Sequence, residues 1–145
     1  MNHVPKLITQ EGLLANKNIL ITGSGSGIGR AVAKAAAEQD ANLILLSKDI
    51  RKLYSLQDEI CSKGYKEPLV VEFDFCKAKE KDYKTLAENL YDQYERLDGL
   101  AHIAGILGYL SPIINTSLSQ LKTVMQVNFE SNFLLTQLAL SLIHI

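Results

Sequence analysis

Four short apolar runs punctuate the chain: NILIT at 18–22, NLILLS at 42–47, PLVVEFD at 68–74 and DGLAHIAG at 98–105. They are rich in Ile, Leu and Val and lack the polar alternation of a half-exposed strand, so they predict strands buried on both faces of a parallel sheet. The segments between them carry a helical period instead. Leu53, Leu56 and Ile60 recur at spacings of three and four, and Tyr83, Leu86, Leu90, Tyr94 and Leu97 hold one stripe along a longer helix. Ser117, followed three residues later by Gln120, has the form of a capping box. It opens the apolar stretch 118–140 as one long helix or two nearly continuous ones. The order β-α-β-α-β-α-β-α predicts an α/β fold with a doubly wound parallel sheet, because right-handed crossovers put successive helices on its faces. Residues 1–145 read as a single domain, with 1–17 as an N-terminal extension.

The first strand runs straight into GSGSGIG at 23–29, ahead of an alanine-rich helix. A tight strand-to-helix turn of this kind faces the carboxyl edge of the sheet, where ligands bind in such folds. Gly23 is expected to adopt a backbone conformation closed to residues with a Cβ, Gly27 to let the main chain approach a ligand, and Gly29 to let helix and strand pack closely. The N–H groups of the helix's first turn then point at an anion, and a pyrophosphate suits them. The spacing excludes a Walker A loop, since Arg30 and Ala31 follow Gly29 where Lys and Ser or Thr are required. It also departs from G-x-G-x-x-G. What stands is T-G-x-x-x-G-x-G from Thr22 to Gly29.

The chain has 145 residues, 47% of them apolar and 21% charged, which is enough for one domain with a buried core. A formal net charge of −1 with interspersed signs offers no basic stripe, so nucleic acid is not an expected partner. Cys61 and Cys76 lack CxxC spacing, and His3, His102 and His144 have no second ligand nearby. No metal is expected, and the cysteines read as reduced thiols of a cytoplasmic protein. The N-terminal segment interrupts its apolar residues with Thr9, Gln10, Glu11 and Asn16, unlike a secretory signal. The apolar segment 133–145 is shorter than the roughly 20 residues of a membrane span, so no membrane association is expected. His102 reads as a buried strand histidine with a hydrogen-bond partner, and Arg30 with Lys34 as a solvated helix face.

The glycine pattern, Asp74 after the third strand, Ala104-Gly105 after the fourth and Asn128 on the following helix occur in order. In these four features the chain resembles the short-chain dehydrogenase/reductase family, from about Asn18 onward. The stretches RLDGLAHIAG and VMQVNFESNFLLTQ look most like those of a bacterial oxidoreductase subgroup, the YciK-like proteins. The resemblance implies a Rossmann-type sheet and hydride transfer between a nicotinamide and a carbonyl or alcohol carbon of a small-molecule substrate. It implies cofactor contacts at Gly23, Ser24, Ser26, Gly27, Ile28, Gly29, Ser47, Lys48, Asp74, Phe75, Ala104 and Gly105, with Asn128 in the active site. Asp74 would bind the adenine. Ile103 departs from the family, which places an Asn there. A homo-oligomer is implied through the long helix carrying Asn128.

Ser47 and Lys48 at the end of the second strand suit a ribose 2′-phosphate, so NADP(H) is favoured over NAD(H). Asp49 is the competing feature, with an N-cap for the next helix as its other reading. The second basic position of many NADP members is Ser26 here. The family's Tyr and Lys come as Y-x-x-x-K. Four residues after Tyr54, Tyr65, Tyr83, Tyr91, Tyr94 and Tyr109 stand Asp58, Leu69, Ala87, Glu95, Asp98 and Ile113. Of the catalytic tetrad only Asn128 has a match. The chain is therefore expected to be the N-terminal, cofactor-binding part of such an oxidoreductase and inactive by itself. The open fourth strand and uncapped last helix favour that reading. The alternative is a non-catalytic dinucleotide-binding module.

Overall fold

The computed structural model describes residues 12–94 and 96–142. Its centre is a four-stranded, wholly parallel sheet of β1 (Asn18–Thr22), β2 (Asn42–Ser47), β3 (Leu69–Glu72) and β4 (Gly99–Ala101) in the order β3-β2-β1-β4. This is half of a Rossmann-type arrangement, with its crossing point between β1 and β4.

The helices are α1 (Gly27–Glu38), α2 (Ile50–Ser62), α3 (Glu80–Gln93), α4 (Leu118–Met125) and α5 (Ser131–Leu142), and a π-helical turn at Gln126–Glu130 joins the last two. Alternation along β2 divides the core between two layers. Leu43 and Leu45 join Ala33, Ala37, Leu53, Leu56 and Ile60 of α1 and α2. Ile44 and Leu46 face the other way, toward Tyr83, Leu86, Leu90 and Leu135 of α3 and α5. The unbroken apolar run thus reflects a strand covered twice.

β1 and β2 match the runs that predicted them, but β3 and β4 are shorter than theirs. Phe73 N–H donates to Ser47 O at 2.9 Å as the last bond between β3 and β2, whose register ends at Ser47 and Glu72. With no further partner, residues 73 and 74 leave the sheet. β4 stops at Ala101 because the next amides turn to a side chain: Thr22 Oγ1 accepts from Ile103 N and Ala104 N, both at 3.0 Å. The α3 stripe likewise overshoots, for the helix ends at Gln93 and Leu97 enters the core from the segment beyond it.

Arg30 and Lys34 form an ion-pair bridge rather than a merely solvated face. Both reach Glu59 on α2, at 2.7 and 2.8 Å. The capping box forms as expected, with Ser117 Oγ accepting from Gln120 N at 3.2 Å and Gln120 Oε1 accepting from Ser117 N at 3.2 Å. Among the described residues no helix is long and apolar enough to cross a membrane. The expected N-terminal extension falls mostly outside the described residues, as do the last three positions, on which the uncapped-helix reading rested.

Candidate functional site

The turn after β1 is set by contacts no side chain could share. Gly23 has φ +66°, and a Cβ there would lie 2.8 Å from both N and Cα of Ala104. The Thr22 hydroxyl holds that approach by gathering the two amides at the exit of β4. Gly29 is excluded from having a side chain by the turn's own backbone, since its Cβ would strike Gly23 O. The expected reason, helix against strand, is thus replaced by helix against loop. Gly27 has φ +52° with no protein atom within 4 Å of its Cβ position, so its conformation, not crowding, calls for glycine.

A cavity of about 310 Å³ opens at the carboxyl edge of the sheet. Its wall on the α1 side is Gly23, Ser26, Ile28 and Gly29; the end of β2 adds Ser47 and Lys48. Asp74 and Phe75 line it from the exit of β3, and Ala104 and Gly105 from the exit of β4. Segments far apart in sequence meet here as the glycine pattern and the strand exits imply.

Three of the expected site residues are not among those lining the cavity. Ser24 is fully buried and serves β2, its N and Oγ donating to Leu46 O at 3.2 and 3.3 Å. Gly27 does not line the cavity. Asn128 is exposed on the π turn, where Oδ1 accepts from Ile106 N at 2.9 Å and Nδ2 donates to Ile106 O at 2.8 Å. Both ends of its amide therefore hold the strand exit in place. Conversely, Phe73, Cys76, Ile106 and Val127 line the cavity without any motif to flag them, and Ile103 lines it where the family's motif has an Asn. Phe73, Ile106 and Val127 are apolar and look like ordinary core positions in sequence.

The charged groups divide between lining and structure. Lys48 is exposed and lines the cavity. Asp49 does not; it caps α2, Oδ1 accepting from Arg51 N at 3.2 Å. Asp74 turns one carboxylate oxygen to Cys76 N at 3.0 Å, and the other lies 3.5 Å from Lys77 Nζ. At α1 no acidic residue stands in the first turn and the N-cap, Ser26, makes no side-chain capping bond. The positive end of the helix is thus left for an anion. His102 is exposed rather than buried, because β4 ends before it and strand alternation no longer governs its direction. It does have a partner, with Nε2 2.9 Å from Thr136 Oγ1, and partial desolvation holds its pKa below the ordinary value.

Residues 17–144 match the family model for short chain dehydrogenases. The chain belongs to the short-chain dehydrogenase family. It is 34% identical over 143 residues to the uncharacterised oxidoreductase YciK of Escherichia coli K12, covering 99% of this chain and 55% of YciK. The solved structure of the E. coli oxidoreductase yciK superposes with a TM-score of 0.85 at 34% identity, covering 92% of this chain and 55% of that one. A short chain dehydrogenase of E. coli CFT073 complexed with NADPH does so with a TM-score of 0.85 at 35% identity, over 92% of this chain and 56% of the other. The chain spans about half the length of the relatives it matches.

Proposed function

We propose that the chain binds NADP(H) and supplies the cofactor-holding part of an oxidoreductase acting on a carbonyl or alcohol. The carrying observation is the cavity itself, which has the uncapped N-terminus of α1 on one side and Ser47 with Lys48 on another. The α1 amides suit a pyrophosphate, and an ammonium with a hydroxyl suits a ribose 2′-phosphate. Asp49, which would instead suit a 2′-OH, is occupied by capping α2. The neighbour complexed with NADPH supports the same choice.

When bound, the nicotinamide supplies the hydride chemistry. The residues here hold and orient it: the Gly23–Ala104 contact fixes the cavity floor, and Asn128 fixes the Gly105–Ile106 wall. No Y-x-x-x-K pair is present to exchange the proton. These 145 residues are therefore expected to bind without turnover. Substrate class stays with the carbonyl or alcohol of the family, and an oligomer with the family's helical interface. Tyr109 is exposed and does not line the cavity.

Titration of NADPH and NADH into the wild type and Lys48→Ala, followed by nicotinamide fluorescence, tests the proposal. Removing a charge-assisted contact is expected to weaken NADPH about tenfold and leave NADH unchanged. Equal wild-type affinity for both would remove the NADP assignment. Turnover of any carbonyl substrate by the pure chain would refute the expected inactivity.

A further inference from the structure

Three consecutive residues of the π turn reach three different parts of the cavity. Val127 lines its inner face. Asn128 holds the exit of β4 through Ile106. Gln126 reaches the exit of β3: its Nε2 donates to Phe75 O at 3.0 Å and Cys76 O at 3.1 Å, with Ala78 O at 3.4 Å. One amide carries two protons, so two of these bonds are full and the third is the long one.

The loop that Gln126 holds is tied at both ends. Lys77 N and Ala78 N donate to Asp74 O at 3.0 and 2.9 Å, and the buried Phe75 ring packs against Phe73 and Tyr83, while the Phe75 and Cys76 carbonyls are left to Gln126. The loop leaves the sheet at Glu72, and its carboxylate anchor is Asp74, bonded to Cys76 N. The carbonyls of Phe75 and Cys76 project toward the helix, and Gln126 supplies the donors they meet there. Phe75 and Cys76 are also cavity wall. The ring of Phe75 is thus held by the core, whereas the backbone carbonyls of this wall are held by the half-buried Gln126.

We propose that Gln126 is a positioning residue for the adenine end of the bound nucleotide. This rests on the NADP(H) reading in one respect: the adenine and the 2′-phosphate share one ribose, so a phosphate at Lys48 puts the ring against the Asp74–Cys76 wall. Gln126 touches neither group. It acts by holding backbone carbonyls, so its loss loosens the adenine wall and leaves the 2′-phosphate contact intact.

The experiment compares AMP with adenosine 2′,5′-bisphosphate, titrated by NMR into the full chain well below its melting temperature. Gln126→Ala removes the donor. Gln126→Glu keeps the shape but turns the donor into an acceptor facing carbonyl oxygens. Both are expected to weaken the two nucleotides by the same factor, about five- to tenfold. Lys48→Ala instead weakens only the bisphosphate. Thr123→Ala, which removes a hydroxyl bonded within α4 to Ser119 O, controls for helix stability. A merely structural Gln126 would lower the melting temperature and leave both dissociation constants unchanged, which overturns the proposal. Loss confined to the bisphosphate overturns it too. If the wild type binds both nucleotides equally, the NADP assignment falls, while a Gln126 effect on AMP still stands. If it binds neither, both fall together.

Discussion

β2 and β4 flank β1 on opposite sides, yet they are built by different forces. β2 pairs with β1 over five residues and with β3 over four, and its residues 43–46 are essentially sealed from solvent. β4 pairs over three residues and none of them is fully buried. The cavity wall beside β2 is consequently placed by packing. The wall beside β4 is placed by side-chain clamps, Thr22 on Ile103 and Ala104, and Asn128 on Ile106. Beyond it the chain becomes apolar and open, with Leu110 and Ile113 87% and 88% exposed.

The comparison breaks most severely at Gly29. In Gly29→Val the new side chain meets the Gly23 carbonyl, a backbone group with no rotamer to escape into. A loss of about 3 kcal/mol is expected from overpacking of this kind, together with loss of measurable NADPH binding. Urea unfolding and nucleotide titration read the two effects. Retained affinity within twofold of wild type would show that packing does not set the α1 wall.

A smaller effect isolates the clamped side. Thr22→Val keeps the side-chain shape but deprives two amides of their acceptor. The expected cost is about 2 kcal/mol, read as a lower urea midpoint. Hydrogen exchange should quicken at Ile103 and Ala104 and stay slow along β2. Uniform quickening across both strands would mean that the two sides are held alike.

Much of this was legible because parallel strands leave a strong trace. The runs at 18–22 and 42–47 match β1 and β2 end to end, since both strands are covered on two faces. The runs at 68–74 and 98–105 were too long because a strand's end depends on its partner. β3 stops where Ser47 does, and β4 stops where Thr22 takes its amides. The site divides similarly. Glycines and strand-exit polar residues advertise themselves, whereas Phe73, Ile106 and Val127 resemble core. Ser24 was misplaced because a serine in a glycine loop looks ligand-facing, although this one bonds Leu46. Gln126 leaves no trace at all, for its partners are backbone carbonyls about 50 positions upstream.

The smallest expected effect lies on the packed side, where α1 and α2 are pinned outside the core. Arg30 and Lys34 hydrogen-bond the Glu59 carboxylate and lower its pKa from an ordinary 4.5 to about 2, Lys34 contributing most. The unfolded chain then binds more protons than the folded one between those values. Stability from this triad is therefore fully present above pH 4.5 and lost as pH falls toward 2. The Glu59 side chain is only partly buried, so salt screens the effect. Glu80 and Asp98 also have lowered pKa values through Lys84 and through the Asn18 amide, so the useful quantity is a difference between proteins. In Glu59→Gln the urea midpoint should fall less steeply with acid than in wild type, and 1 M salt should narrow the gap. Parallel acid profiles would mean that α1 and α2 are held by their apolar faces alone, which would make the packed side less dependent on charge than the clamped side is on hydrogen bonds.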